Sequence, residues 1–153
     1  MLNFRTANRK DLPKIINLLN DDKIASERES KNINTYEKAF EDILAQENNL
    51  IILGCIEDEV VSALQLTIIA CLTHKGSTRA QIEMVRVSHA HRNKGIGKKI
   101  VEHAMLTARQ KNCNIIQLTT NKKRSKAIHF YENIGFKNTH YGMKIFTPKN
   151  FIT

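Results

Sequence analysis

A passage of strand, glycine-rich turn, helix and strand constrains this chain more than any other feature. Residues 80–88 carry β-forming side chains, and His91-Arg92-Asn93-Lys94-Gly95-Ile96-Gly97-Lys98-Lys99 follows them. Residues 96–111 then space Ile100, Val101, Ala104, Met105 and Ala108 as one face of a helix, and residues 115–119 read as a short buried strand. Two strands joined through a helix run parallel, whereas a tight hairpin reverses direction. One parallel pair is therefore expected within a mixed α/β architecture.

The remaining segments fill in around that passage. Residues 2–6 predict a first strand. Asp11 ahead of Leu12-Pro13 marks a helix start, with Ile15, Ile16, Leu18 and Leu19 on one face. Residues 20–32, NDDKIASERESKN, are polar and loop-like, while Asn34-Thr35-Tyr36-Glu37 resembles a capping box opening a second helix to about residue 46. Strands over 50–56 and 60–72 form a hairpin across Glu57-Asp58-Glu59, and 73–78 turn around Gly76. Residues 127–133 predict a last helix stopped by Gly135, and 137–146 supply terminal strand material. No repeat, low-complexity tract or Gly/Pro-rich linker interrupts the 153 residues, which are read as a single domain, 1–153.

The strand before the glycines changes phase. Ile82 and Met84 are apolar with Gln81 and Glu83 polar, and then Val85 and Val87 are apolar with Arg86 and Ser88 polar. Side chains alternate across a strand, so keeping the apolar set inward calls for one extra residue near Met84-Val85, a β-bulge. A strand buried on both faces at one end explains the same pattern without a bulge. A bulge would let neighbouring strands splay, directly ahead of the glycine-rich turn.

That turn places two glycines and four cations (Arg92, Lys94, Lys98, Lys99) where a helix begins. The first amides of a helix lack intrahelical acceptors and carry the positive end of its dipole, so phosphate oxygens bind there. Glycines let an anion approach the backbone. The Walker and dinucleotide-binding patterns both fail, since no Ser or Thr follows a GxxxxGK and Ile100 stands where a third glycine would be needed. R-x-x-G-x-G, Arg92 to Gly97, matches, but a basic turn shaped only by its glycines reads the same.

Composition narrows the partners. With 24 basic against 15 acidic residues, the net charge of +9 favours a polyanion: nucleic acid, an acidic membrane surface or a phosphorylated small molecule. Three cysteines, Cys55, Cys71 and Cys113, without C-x-x-C spacing suit reduced thiols. No signal-peptide core opens the chain and no apolar run spans a bilayer, so a soluble cytoplasmic protein without membrane contact is expected.

A second segment, His129-Phe130-Tyr131-Glu132-Asn133-Ile134-Gly135-Phe136, follows one strand and one turn downstream. Taken together, the slipped strand, R-x-x-G-x-G, the helix, the strand and A-I-x-F-Y-E-x-x-G-F resemble the GNAT (general N-acetyltransferase) superfamily in detail from Ile82 to Phe136. The order of earlier elements extends the likeness over nearly the whole chain. The resemblance implies a central, mostly antiparallel mixed sheet flanked by about four helices, with strands four and five splayed around the pantetheine arm of acetyl-CoA as co-substrate.

Carried over by position, the resemblance implies that the backbone of Val85, Arg86 and Val87 holds pantetheine. The amides of Arg92, Asn93, Lys94, Gly95, Ile96, Gly97 and Lys98 hold the diphosphate. Relatives often place an asparagine near the last helix; here Asn121 is early and Ser125 nearer, so either supplies that contact. Tyr131 matches the general acid for the leaving thiolate; by residue type alone it is also a core tyrosine beside Phe130. A thiol with pKa ~8.5 is already a fair leaving group, so a phenol near ~10 assists it. Glu83 is the candidate base, directly or through water; alternatively it faces solvent or pairs with Arg86.

The expected activity is transfer of acetyl from acetyl-CoA to a primary amine, small-molecule rather than protein, in a ternary complex. Cys113 has no partner base for a covalent route. The pair His89-x-His91 lacks a third ligand, so no metal is expected. Lys122-Lys123-Arg124 with Lys126 reads as a solvated loop, and no nucleic acid is expected. An idle CoA-binding module and a basic nucleic-acid-binding protein are the alternatives. Asp21, Asp22, Glu27 and Glu29 in residues 20–32 are available to attract a cationic amine or simply keep a loop soluble, and a homodimer is compatible with the likeness.

Overall fold

Strand Leu2–Thr6 (β1) pairs antiparallel with Asn49–Ile56 (β2), which reverses through Glu57 and Asp58 into Glu59–Ala70 (β3). Glu57 takes a left-handed φ of 54°, which a two-residue hairpin turn requires. β3 pairs antiparallel with Thr78–Val87 (β4), and β4 pairs parallel with Cys113–Leu118 (β5), so the sheet runs in order β1-β2-β3-β4-β5. This computed structural model describes residues 1–21 and 29–147. The chain divides into two units, Met1–Leu118 and Thr119–Thr153. The first holds the sheet with helices Leu12–Asn20 (α1), Asn34–Leu44 (α2) and Ile96–Gln110 (α3), and the second holds Ser125–Ile134 (α4).

Alternation along the strands sorts the first unit's core into two layers. On one face α1 buries Leu12, Ile15, Ile16, Leu18 and Leu19 against Ile51, Leu53, Cys55 and Ala63, joined by Phe40 of α2. At roughly 1.5–3 kcal/mol per buried aliphatic side chain, the five positions of α1 contribute on the order of 10 kcal/mol before entropy is subtracted. Residues of the opposite parity, Ile52, Leu64, Leu66 and Ile82, are buried with Ile100, Val101, Ala104 and Ala108 of α3. Gly54 belongs to this second layer, where a Cβ would overlap the Ser62 hydroxyl.

An ion pair locks β1 to the start of α1. Asp11, 2% exposed, accepts from both terminal nitrogens of Arg5 at 2.7 Å and from the Asn8 amide at 2.8 Å. The Arg5 bonds hold the Asp11 carboxyl below its ordinary range against the opposing effect of burial. Asn8 in turn accepts from the Lys10 amide, so the reciprocal capping box forms one turn before α1.

The expected box at Asn34-Glu37 does not form. Ile33 already has helical dihedrals, and the Asn34 amide donates to the Asn32 side chain at 3.1 Å, so the start is fixed upstream and Asn34 is the first helical residue. Helix α2 ends at Leu44. The turn after β3 is a short helical one, Thr73–Gly76, with His74 and Lys75 at positive φ. Residues 137–146, read as terminal strand material, do not form a strand: Tyr141, Met143 and Ile145 stand 88–93% exposed, and a strand needs a neighbour to bond to. Of the loop read over residues 20–32, positions 22–28, with Asp22 and Glu27, lie outside the described residues.

Candidate functional site

The phase change in β4 is a bulge. Gln65 pairs with Glu83 but Ala63 pairs with Arg86, so two residues of β4, Met84 and Val85, oppose the single Leu64 of β3. Met84 absorbs the extra residue by adopting φ 57°, a left-handed conformation that costs a non-glycine residue on the order of 1 kcal/mol. The bulge coincides with an opening. On the other side, β4 pairs with β5 only from Thr78 to Ile82, opposite Leu118, and β4 continues through Val87 beyond the end of that pairing. The stretch Glu83–Val87 thus presents one backbone edge unclaimed by β5.

A basic turn stands just past that edge. His89–His91 form a single 3₁₀ turn, Arg92 returns to extended backbone, and Asn93 and Gly95 take φ 62° and 76° before α3 begins at Ile96. Gly95 has nothing within 4 Å of where a Cβ would lie, so the space above the turn is open. The amides of Ile96, Gly97 and Lys98 precede the first intrahelical bond, Lys99 N to Gly95 O at 3.1 Å. Asn93, Lys94 and Lys98 are exposed. Arg92 is turned inward: its Nε donates to Val87 O at 3.2 Å and its Nη2 to Asp21 O at 3.4 Å. In this arrangement Arg92 clasps the turn, leaving positive charge at the opening to the lysines. The Asp21 carboxylate also accepts from the His89 amide. Sequence reading set Asp21 down as an acidic loop residue and gave no sign of this tie. A cavity of about 360 Å³ lined by Ile16, Asn17, Asn20, Asp21 and Lys31 adjoins it.

Glu83 is exposed, and among the described residues no donor engages its carboxylate, so it does not pair with Arg86. Arg86 instead donates from Nη1 to Val85 O at 3.0 Å. Beside Glu83 runs a polar row that sequence reading missed. Gln65 Nε2 and Thr67 Oγ1 donate to Asn49 Oδ1 at 2.9 and 3.1 Å, and Gln117 Nε2 donates to Gln81 Oε1 at 2.8 Å. The signal was present in β3, where Gln65 and Thr67 alternate with Leu64, Leu66 and Ile68.

In the second unit, Tyr131 of α4 is half-buried, with Phe130 and Phe136 edge-to-face at ring-centroid distances of 5.0 and 5.9 Å. Asn121 Oδ1 accepts from the Lys123 amide at 2.9 Å, so its side chain shapes the turn into α4, and Ser125 is the first helical residue. Gly135 ends α4 with φ 110°. Among the described residues, no group of three or more His, Cys, Asp or Glu is placed to hold a metal ion, and no helix is long and apolar enough to cross a membrane.

Known proteins place this geometry in context. A solved structure described as a transcriptional regulator from Bacillus halodurans superposes with a TM-score of 0.92 at 39% identity, covering 96% of this chain and all of that one. An Agrobacterium tumefaciens structure described as an acetyltransferase gives 0.85 at 28% identity, over 95% of this chain and 99% of that one. Among curated proteins, N-alpha-acetyltransferase 30 of Saccharomyces cerevisiae is 38% identical over 58 residues, which is 38% of this chain and 33% of the yeast protein. Streptothricin acetyltransferase of Streptomyces lavendulae is 36% identical over 58 residues, 31% of its length. The chain thus matches about a third of the length of these curated relatives. The Acetyltransferase (GNAT) family profile matches residues 12–136, from the start of α1 to just beyond α4, and the chain belongs to that family.

Proposed function

We propose that this protein transfers an acetyl group from acetyl-CoA to a primary amine, both bound at once. The observation that carries the reading is the opening of β4: Glu83–Val87 has an edge that β5 does not pair, immediately ahead of bare amides at the start of α3. An extended amide-bearing arm fits the first as an added strand would, and a diphosphate fits the second. The backbone of Val85, Arg86 and Val87 takes the arm, and the amides from Asn93 to Lys98 take the phosphates, with Lys94 and Lys98 adding charge. Arg92 holds the turn in shape. By the family likeness, Asn121 or Ser125 supplies a further cofactor contact.

Acetyl-CoA supplies an activated thioester, so the protein has to position an amine and move protons. Glu83, exposed and without a partner among the described residues, takes the proton that an ammonium must shed, directly or through water. Tyr131, on the residue match within A-I-x-F-Y-E-x-x-G-F, donates to the departing thiolate. A small amine is favoured as acceptor; the partly matching relatives carry names that span a streptothricin acetyltransferase and an N-alpha-acetyltransferase.

Calorimetry with acetyl-CoA, followed by thiol release across an amine panel, tests the reading. Binding plus release with at least one amine is expected; no binding overturns it. Tyr131→Phe should lower turnover by ~100-fold, the lower end of general acid–base contributions, with acetyl-CoA affinity retained. Unchanged turnover removes Tyr131 from the chemistry. A regulatory module is the second reading, resting on the Bacillus halodurans likeness. It predicts CoA binding without thiol release from any amine.

A further inference from the structure

The face of the sheet beneath α1 and α2 changes character along its length. Its apolar cluster takes in Ile51, Leu53 and Ala63 with Met84 packed against it. Beyond, several cross-strand neighbours on that face are polar: Asn49 beside Thr67, Thr67 beside Gln81, Gln81 beside Gln117, and Gln65 beside Glu83, while Arg79 stands between Ile69 and Ile115. The bonds given above join Gln65 to Asn49 and Gln117 to Gln81, and the row ends on Arg79. Arg79 Nη1 donates to Gln117 Oε1 and Nη2 to Thr73 Oγ1, both at 3.3 Å, long for a guanidinium. Its Nε is buried with no acceptor, and among the described residues no carboxylate pairs with it.

A guanidinium carries five donors and is always charged, so one left with two weak bonds to neutral groups and a buried orphan lacks a charged partner among the described residues. Carboxylates and phosphates match its fork in pairs of bonds. Glu83 and Arg79 lie on the same face of one regular stretch of β4, four residues apart, or ~13 Å at the usual rise of a strand. Between them stand amides and a hydroxyl that both donate and accept. The row therefore offers a carboxylate at one end, a cation at the other and hydrogen-bonding groups along the way.

We infer that the acceptor is an amine bearing an oxyanion, carboxylate or phosphate, about 10–13 Å from its nitrogen, with a polar body lying along this row. The amine sits by Glu83 and the oxyanion on Arg79. The inference rests on the acetyl-transfer reading for the place of the amine, and adds to it the class of acceptor.

Tetraglycine and tetraglycinamide test it, since they share an amine and length and differ in the terminal charge. Thiol release with acetyl-CoA should show at least a tenfold higher kcat/KM for tetraglycine. Arg79→Gln should bring that ratio close to one, and Arg79→Lys should restore part of it. A ratio near one in the natural protein, or a preference that survives in Arg79→Gln, overturns the inference. Triglycyl-phosphoserinamide against tetraglycine tells whether phosphate or carboxylate is the better oxyanion, and either one preferred over the amide supports it. Calorimetry of the same peptides on the CoA-bound protein reads the preference without turnover. Discrimination there without thiol release would defeat acetyl transfer and keep the acceptor row; equal or absent binding of tetraglycine and its amide would defeat the row while thiol release from another amine upheld the transfer.

Discussion

Strand β4 behaves as two strands joined at a bulge. From Thr78 to Ile82 it is bonded on both sides, and Ala80 and Ile82 are fully buried. From Glu83 to Val87 it is bonded to β3 alone, none of its residues is fully buried, and Met84 holds a positive φ. The first half is built from apolar volume and makes the sheet stable. The second is built from backbone left available, which stability alone does not call for. One strand thus separates the part that folds the molecule from the part proposed to bind acetyl-CoA.

Substitutions on the two sides of the bulge should separate stability from affinity. The largest effect is expected for Leu66→Ala, opposite Ile82 and 0% exposed, which should cost about 3 kcal/mol in chemical denaturation. The folded variant should still bind acetyl-CoA with affinity close to that of the natural protein; weakened binding would blur the division. Next comes Gly95→Val, which sets a branched side chain at φ 76° above the open turn. It should weaken acetyl-CoA binding by roughly 10–100-fold, about 1.4–2.7 kcal/mol by calorimetry. Unchanged affinity would mean that the turn's glycines serve only its shape.

A smaller effect should follow from Asp11→Ala, far from the opening. The ion pair with Arg5 is half open to water, so its loss should cost about 1–2 kcal/mol, less than for a fully buried pair. The Asp11 carboxyl is held below its ordinary pKa of 3.8, first by the Arg5 hydrogen bonds. Its contribution is accordingly complete above that ordinary value and is lost as pH falls below it through the lower folded value. The stability gap between the natural protein and the variant should close in acid and stay constant toward neutrality. A gap that widened in acid would contradict the assignment.

Much of this was legible in the sequence because local patterns and tertiary demands agreed. The alternation reversal at Met84-Val85 located the bulge, and the R-x-x-G-x-G turn located the start of α3, since backbone conformation there is written in residue type. Where partners come from far along the chain, the pattern fell silent. Asp21 reaches His89 and Arg92, some 70 positions away, and Gln81 reaches Gln117 across a helix-length connection. The bond from Arg92 to Val87 O was likewise silent, since residue type shows the charge of Arg92 and not its backbone partner. Residues 137–146 show the converse: alternation in Tyr141, Met143 and Ile145 specifies a strand only when a second strand is there to pair with it.

Amide hydrogen exchange with and without acetyl-CoA tests the division of β4 most directly. Added acetyl-CoA should slow exchange between Glu83 and Val87 and from Asn93 to Lys98, while amides from Thr78 to Ile82, already bonded on both sides, stay as they were. Protection absent from both of those stretches, or gained only elsewhere in the chain, would contradict a binding edge at the opened half of β4.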